Sequence, residues 1–131
     1  MADSGKAALV EAFYKARATG ETDEIRRILA ASVVWHEPDV GSGHTGRLVG
    51  VESVAAMISA AQKKTAGTFS FVPVRAVYNG EHAVALVDWT AEKDGATLEG
   101  REAAALRIRN GEILEASFHQ DDTERDREFW S

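Results

Sequence analysis

The sequence contains no cysteine, which excludes a disulfide framework, a thiolate nucleophile and any metal or iron–sulfur site that needs a cysteine ligand. It also lacks basic excess: 15 Lys and Arg stand against 21 Asp and Glu, a net charge of −6 at pH 7. Such a chain has no electrostatic footprint for nucleic acid or for an anionic membrane surface. No apolar run approaches the roughly 20 residues of a membrane-spanning helix. The opening residues Met1 to Lys6 carry no basic segment leading into an apolar one. A cytoplasmic protein with no nucleic-acid or membrane partner is therefore expected. Internal repeats, low-complexity tracts and domain linkers are missing as well. The glycines from Gly41 to Gly46 lack the Gly-Lys-Ser/Thr of a phosphate loop, and Gly50-Val51-Glu52-Ser53 does not match a Gly-x-Ser-x-Gly nucleophile turn. His36, His44 and His82 show neither His-x-His nor His-x₃-His spacing, so neither a metal nor a cofactor is expected.

What is present fits one globular domain over residues 1–131, with 44% apolar and 27% charged residues. From Lys6 to Thr19, Leu9, Val10, Phe13 and Ala16 follow helical spacing, and Gly20 stops the run. Thr22 is a candidate N-cap for a second helix, with Asp23 and Glu24 in its first turn and Ile25, Ile28 and Leu29 on its buried stripe. A β-rich run, Val33 to Glu37, ends at Pro38, and a loop extends to Leu48, its glycine stretch from Gly41 to Gly46 a candidate lid. A third helix follows Gly50, with Val51, Val54, Met57, Ile58 and Ala61 on one face. The period then changes. Strands are predicted over 69–78, 82–91, 97–109 and 113–120, separated by Asn79-Gly80, Asp94-Gly95 and Asn110-Gly111. These dipeptides favour type I′ turns, so the four strands form an antiparallel meander. Gly100 is a candidate bulge or bend, and Phe129-Trp130 suggests a tail that docks. Helices followed by a meander imply an α+β domain, with the helices packed on one face of a curved antiparallel sheet that closes over a pocket.

Strand parity divides His82, Val84, Leu86, Asp88 and Thr90 from Ala83, Ala85, Val87 and Trp89. Both sets are substantially apolar. A sheet with two apolar faces covers one with helices and the other most readily with a second subunit, so a homodimer through the outer face is expected.

Several features occur together: the helix–Gly–helix opening around Gly20, Trp35-His36-Glu37-Pro38, the glycine loop running into Gly50-Val51-Glu52-Ser53-Val54, the meander, and the closing Asp122…Asp126…Phe129-Trp130. In combination they resemble the nuclear transport factor 2-like superfamily, specifically its SnoaL-like and ketosteroid-isomerase-like branch, over nearly the whole chain. The resemblance implies a cone-shaped α+β barrel, usually dimeric, with an apolar cavity between sheet and helices. Members include isomerases, cyclases, dehydratases, epoxide hydrolases and non-catalytic proteins, so fold alone does not assign chemistry. With Gly20 and Pro38 as anchors, Glu37 falls where a ketosteroid isomerase keeps its proton-shuttling aspartate. The two enolate-stabilising donors of that enzyme fall on Phe13 and Ala104, with Tyr14 one residue away and turned by about 100° on its helix. A steroid isomerase is thus not expected. The epoxide-hydrolase branch uses an Asp–Arg–Asp cluster, and beside Asp88 no arginine has inward parity. The polyketide-cyclase branch asks only for an acid or an acid–base pair in an apolar cavity.

Glu37 and Asp88 are accordingly the candidate catalytic residues. Phe13, Trp35, Val84, Leu86, Leu106, Phe118 and Gln120 are the candidate substrate-binding residues. At least one of the two carboxyls should titrate near pH ~6–7 if it sits in a low-dielectric pocket. The alternative for Asp88 is a salt bridge to Arg101 or an outward-facing register. His36 points away from Trp35 and Glu37, and His82 and His119 are surface or interface residues. Three classes of function remain: a cofactor-independent isomerase, cyclase or dehydratase acting on an apolar cyclic carbonyl compound; a carrier or sensor using the same cavity to bind a small apolar molecule; or a protein-interaction module.

Overall fold

The structure, a computed structural model, describes residues 2–37 and 46–130. Its elements in chain order are α1 (Ala2–Thr19), α2 (Thr22–Ile28), β1 (Leu29–His36), β2 (Arg47–Val49), α3 (Val51–Lys64), β3 (Ser70–Asn79), β4 (His82–Lys93), β5 (Ala96–Arg109), β6 (Glu112–Gln120) and α4 (Thr123–Trp130). The expected loop from Pro38 to Leu48, with the candidate lid from Gly41, lies outside the described residues up to position 45, and the end of that loop belongs to strand β2. No helix among the described residues is long and apolar enough to cross a membrane.

Gly20 ends α1 at φ +70°, and its N–H closes on the Ala16 carbonyl at 2.9 Å, the left-handed exit that glycine makes without strain. The residue capping α2 is Glu21 rather than Thr22, and no side-chain hydrogen bond caps it. Leu29, expected on the α2 stripe, opens β1 instead. Asp122 caps α4, its Oδ1 accepting the Arg125 N–H at 3.0 Å.

Six strands form one curved, unclosed sheet in the order β2-β1-β6-β5-β4-β3. Strands β3 to β6 form the expected meander, but β1 pairs with β6 in parallel, so the sheet is mixed rather than antiparallel throughout. Parallel neighbours need a long crossover, and here β2, α3 and strands β3 to β5 separate them. At Asp94-Gly95 and Asn110-Gly111 both residues have positive φ, as type I′ requires. The first hairpin instead places Gly80-Glu81 in the loop with Asn79 paired to His82, one residue later than expected.

Gly100 is not a bulge, because β4 and β5 stay in register from His82↔Arg107 to Lys93↔Ala96. It faces Trp89 across the ladder, and a Cβ built on it would lie 2.4 Å from the indole ring. The glycine is therefore a seat for that indole.

The inner face of β4 carries Ala83, Ala85, Val87 and Trp89, all 3% exposed or less, while Val84 and Leu86 are 44% and 37% exposed. This reverses the expected parity. Large side chains from other elements fill the core: Phe13 from α1, Trp35 from β1 and Phe118 from β6, with ring centroids 4.3 Å apart for Trp35–Phe118 and 5.8 Å for Phe13–Trp35. Opposite such volume there is room for alanines but not for another leucine. The tail docks as expected, with Trp130 packed on Phe69 and Trp89 at 4.9 and 6.3 Å.

Candidate functional site

A pocket of about 50 Å³ opens between the inner sheet face and helices α1, α3 and α4. At roughly 10–15 Å³ per water on this measure, it accommodates a few waters or one small group. Phe69, Phe71, Trp89 and Trp130 supply its aromatic wall, and Arg17, Glu37, Glu102, Gln120 and Asp126 its polar groups.

The polar groups converge because of where their elements bury them. On α1 the buried positions are Val10, Phe13, Tyr14, Ala16 and Arg17, so the helical spacing that sends Phe13 inward also carries Arg17 in. On β5 the alternation that buries Ala104, Leu106 and Ile108 also buries Glu102. The two meet at 2.8 Å, Nη1 of Arg17 on Oε2 of Glu102, with the residues 5% and 1% exposed. Tyr14 donates its hydroxyl to the same oxygen at 2.7 Å, and Gln120 Nε2 donates to Oε1 at 3.0 Å. Gln120 in turn accepts from the Trp89 indole N–H at 3.1 Å. Gln62 fixes the α1 backbone by donating to the Arg17 carbonyl at 2.7 Å.

Burial draws the Arg17 guanidinium down, but Glu102 outweighs it, with Tyr14 and Glu37 adding to the effect, and the group lies above its ordinary value. Five aromatic rings surround it, the nearest being Phe71 at 4.4 Å. Burial, reinforced by Glu102, pushes Tyr14 well above its usual range, so it remains a phenol and a donor. Glu37 stands at the end of β1, where its Oε2 accepts the Trp35 indole N–H at 3.2 Å. Asp126 is 1% exposed. Its Oδ1 accepts from Arg125 at 3.0 Å, and its Oδ2 has no hydrogen-bond partner among the described residues. Burial raises its pKa against the opposing pull of Arg125.

Of the candidates named from the sequence, Glu37 and Gln120 line this pocket. Phe13, Trp35, Leu106 and Phe118 lie behind it in the core, and three of them stack around the Arg17 guanidinium at 5.1 to 5.6 Å. Val84, Leu86 and Asp88 are on the outer face, a correction that follows from the reversed parity of β4. Asp88 is bound to Arg101 Nε at 2.7 Å, and that hydrogen bond holds its carboxyl below, not above, the ordinary range. His36 pairs with Glu115 at 3.0 Å, and among the described residues no group of three His, Asp or Glu is arranged to hold a metal.

The arginine that enters the interior, Arg17, comes from a helix, where strand parity does not reach. Tyr14 is buried rather than turned away, because α1 is enclosed on a face wide enough to take both Phe13 and Tyr14. Glu102 and Arg17 were each detectable as a lone charge within a periodic apolar stripe: Glu102 shares parity with Leu106, and Arg17 lies four residues after Phe13. Asp126 had no comparable signal.

Chemically, the pocket brings a buried guanidinium and the carboxyl group of Glu37 within aromatic walls. A guanidinium can donate to an oxyanion, and a carboxyl group can exchange a proton.

Residues 10–116 match the family described as the SnoaL-like domain. No curated protein matches the chain. Among solved structures, Bal32a from a soil-derived mobile gene cassette superposes with a TM-score of 0.88 at 22% identity, covering 98% of each chain. A protein of unknown function with a cystatin-like fold from Xanthomonas campestris gives 0.84 at 22% identity, over 95% of this chain and 97% of that one. IdmH from Streptomyces antibioticus, itself proposed to be a polyketide cyclase, gives 0.76 at 17% identity, over 94% and 97%. At these identities the likeness is one of fold.

Proposed function

This chain belongs to the SnoaL-like domain family, and from that premise we propose that it binds a small carbonyl compound and performs acid–base chemistry on it without a cofactor. The observation that carries the reading is Arg17, a buried guanidinium held charged by Glu102 and open to the same pocket as Glu37. Glu37 takes a proton from the carbon next to the carbonyl. Arg17 donates to the oxygen on which the enolate charge collects, and Glu37 returns the proton at the new position or the enolate attacks within the substrate. Isomerisation, aldol-type cyclisation and dehydration all begin with that step. Glu102, Tyr14 and Gln120 are positioning residues that fix Arg17. A structural neighbour, IdmH, is itself proposed to be a polyketide cyclase, which supports this reading.

The test is α-proton exchange of simple cyclic ketones in D₂O, followed by proton NMR. Glu37→Gln should slow exchange by about 10²–10⁴, the usual contribution of a positioned general base. Arg17→Lys, which keeps the charge but not the fork geometry, should slow it less. Ketone binding without exchange in the wild type would overturn the catalytic reading in favour of a carrier or sensor that uses the same cavity. The proposal includes a homodimer formed by the outer face of β3 and β4, where Val72, Val77, Val84 and Leu86 are exposed.

A further inference from the structure

A general base works by being in place: reacting atoms have to stand about 3–3.5 Å apart. Glutamate carries its carboxyl on a long side chain with ample rotamer freedom, so something has to hold it. The backbone of Glu37 is fixed just past the end of β1, where its N–H donates to the Gly46 carbonyl at 2.9 Å. Its side chain is held by a neighbour on the same strand. Alternation puts Trp35 and Glu37 on one side, while His36 between them pairs with Glu115. The Trp35 indole N–H donates to Glu37 Oε2 at 3.2 Å.

The indole is itself rigidly placed. Trp35 is 0% exposed, and its backbone lies between two strands, opposite Leu48 of β2 and Ala116 of β6. Phe118 and Phe13 pack on its ring at centroid distances of 4.3 and 5.8 Å, and close packing of this kind holds a side chain in one rotamer. An indole N–H donates and never accepts, and when buried it needs an acceptor, which the Glu37 carboxyl supplies. The face of the same ring carries the Arg17 guanidinium, 5.4 Å from the centroid. One rigid ring therefore touches both charged groups of the proposed chemistry, Glu37 through its N–H edge and Arg17 through its face.

We infer that Trp35 is a positioning residue of this site, holding the Glu37 carboxyl in a fixed place relative to the Arg17 guanidinium. The inference rests on the reading of Glu37 as the general base and adds the residue that places it. Trp35 lies behind the pocket in the core, so it acts through Glu37 and not on the substrate.

Trp35→Phe keeps an aromatic ring beside Arg17 and removes the donor. In the α-proton exchange assay it should lower the rate at saturating ketone about 10–100-fold, the contribution of one hydrogen bond to a charged group, and leave KM unchanged. Added to Glu37→Gln, it should lower the rate that remains above the buffer rate no further. A ring that merely supports the core would slow exchange by the same factor in both backgrounds, and that result overturns the inference. A second measurement leaves Trp35 intact and so serves should the Phe variant fail to fold. The three tryptophans give three indole signals in a nitrogen–proton correlation spectrum of the full chain. Glu37→Gln exchanges a charge-assisted hydrogen bond for a weaker neutral one, so the Trp35 signal should move upfield while that of Trp130 stays in place. An unmoved Trp35 signal overturns the inference whatever the exchange rates. A wild type that exchanges no α-proton overturns the catalytic reading instead, and the placement of Glu37 by Trp35 is then decided by the indole signal alone.

Discussion

Glu102 accepts hydrogen bonds from Tyr14, Arg17 and Gln120 while almost wholly buried, so replacing it strips the charge partner from a guanidinium that is itself almost wholly buried. Breaking one side of a buried pair costs about 3–5 kcal/mol, because the remaining charge stays desolvated. Glu102→Gln should therefore lower the urea midpoint by that equivalent with the slope unchanged. Asp126 behaves in the opposite sense. Its pKa in the folded protein is raised from the ordinary 3.8, first by burial, so the native state holds a proton that the unfolded chain has released. Stability then falls as pH rises from the ordinary value through the raised one. Asp126→Asn should remove that slope in urea unfolding between pH 4 and pH 7, and should be more stable than the wild type by about 1 kcal/mol at the upper end.

At the scale of elements, strand β5 carries its information in the alternation of small and charged residues. Gly100 leaves the face of β5 open for the Trp89 indole, which donates to Gln120, which in turn donates to Glu102. Gly100→Ala would place a Cβ inside that ring, so the indole has to move. Overpacking of this kind costs about 1–3 kcal/mol. The variant should lose stability in that range, and Trp89 should show a red-shifted emission as its seat and its acceptor are disturbed. Helix α1 works in a similar way: one enclosed face carries the core aromatics Phe13 and Tyr14 together with Arg17, so helix position and site geometry are set by the same packing.

For the molecule as a whole, the sheet is covered by helices on one side and carries exposed valine and leucine on the other. Val77 and Val84 are paired across β3 and β4, with Leu86 next along, which makes an apolar strip on the uncovered face. The proposed homodimer buries that strip. Sedimentation equilibrium of the wild type should give twice the 14.2 kDa chain mass, and Leu86→Arg should return it to one. A monomeric wild type at micromolar concentration would remove the dimer from the proposal without touching the pocket, which lies on the opposite face.

The sequence by itself determined the α+β class, the helix–Gly–helix opening, the meander and two of its three turns, because these depend on local periodicity and on positive-φ chemistry within a few residues. Glu37 and Gln120 could be placed toward the pocket from strand parity and a family resemblance. Parity alone failed on β4, where both faces are apolar and the choice was made by the volume of Phe13, Trp35 and Phe118 arriving from distant elements. The parallel pairing of β1 with β6 was equally invisible, since β2, α3 and the first three strands of the meander lie between them in the chain. The tertiary structure likewise decided the site. Arg17 and Glu102 are 85 residues apart, and Asp126 reaches the pocket only because Trp130 seats α4 against Phe69 and Trp89. A single charged residue in an apolar stripe announces that a partner exists; only the folded chain, which must satisfy every buried charge, determines which residue that partner is.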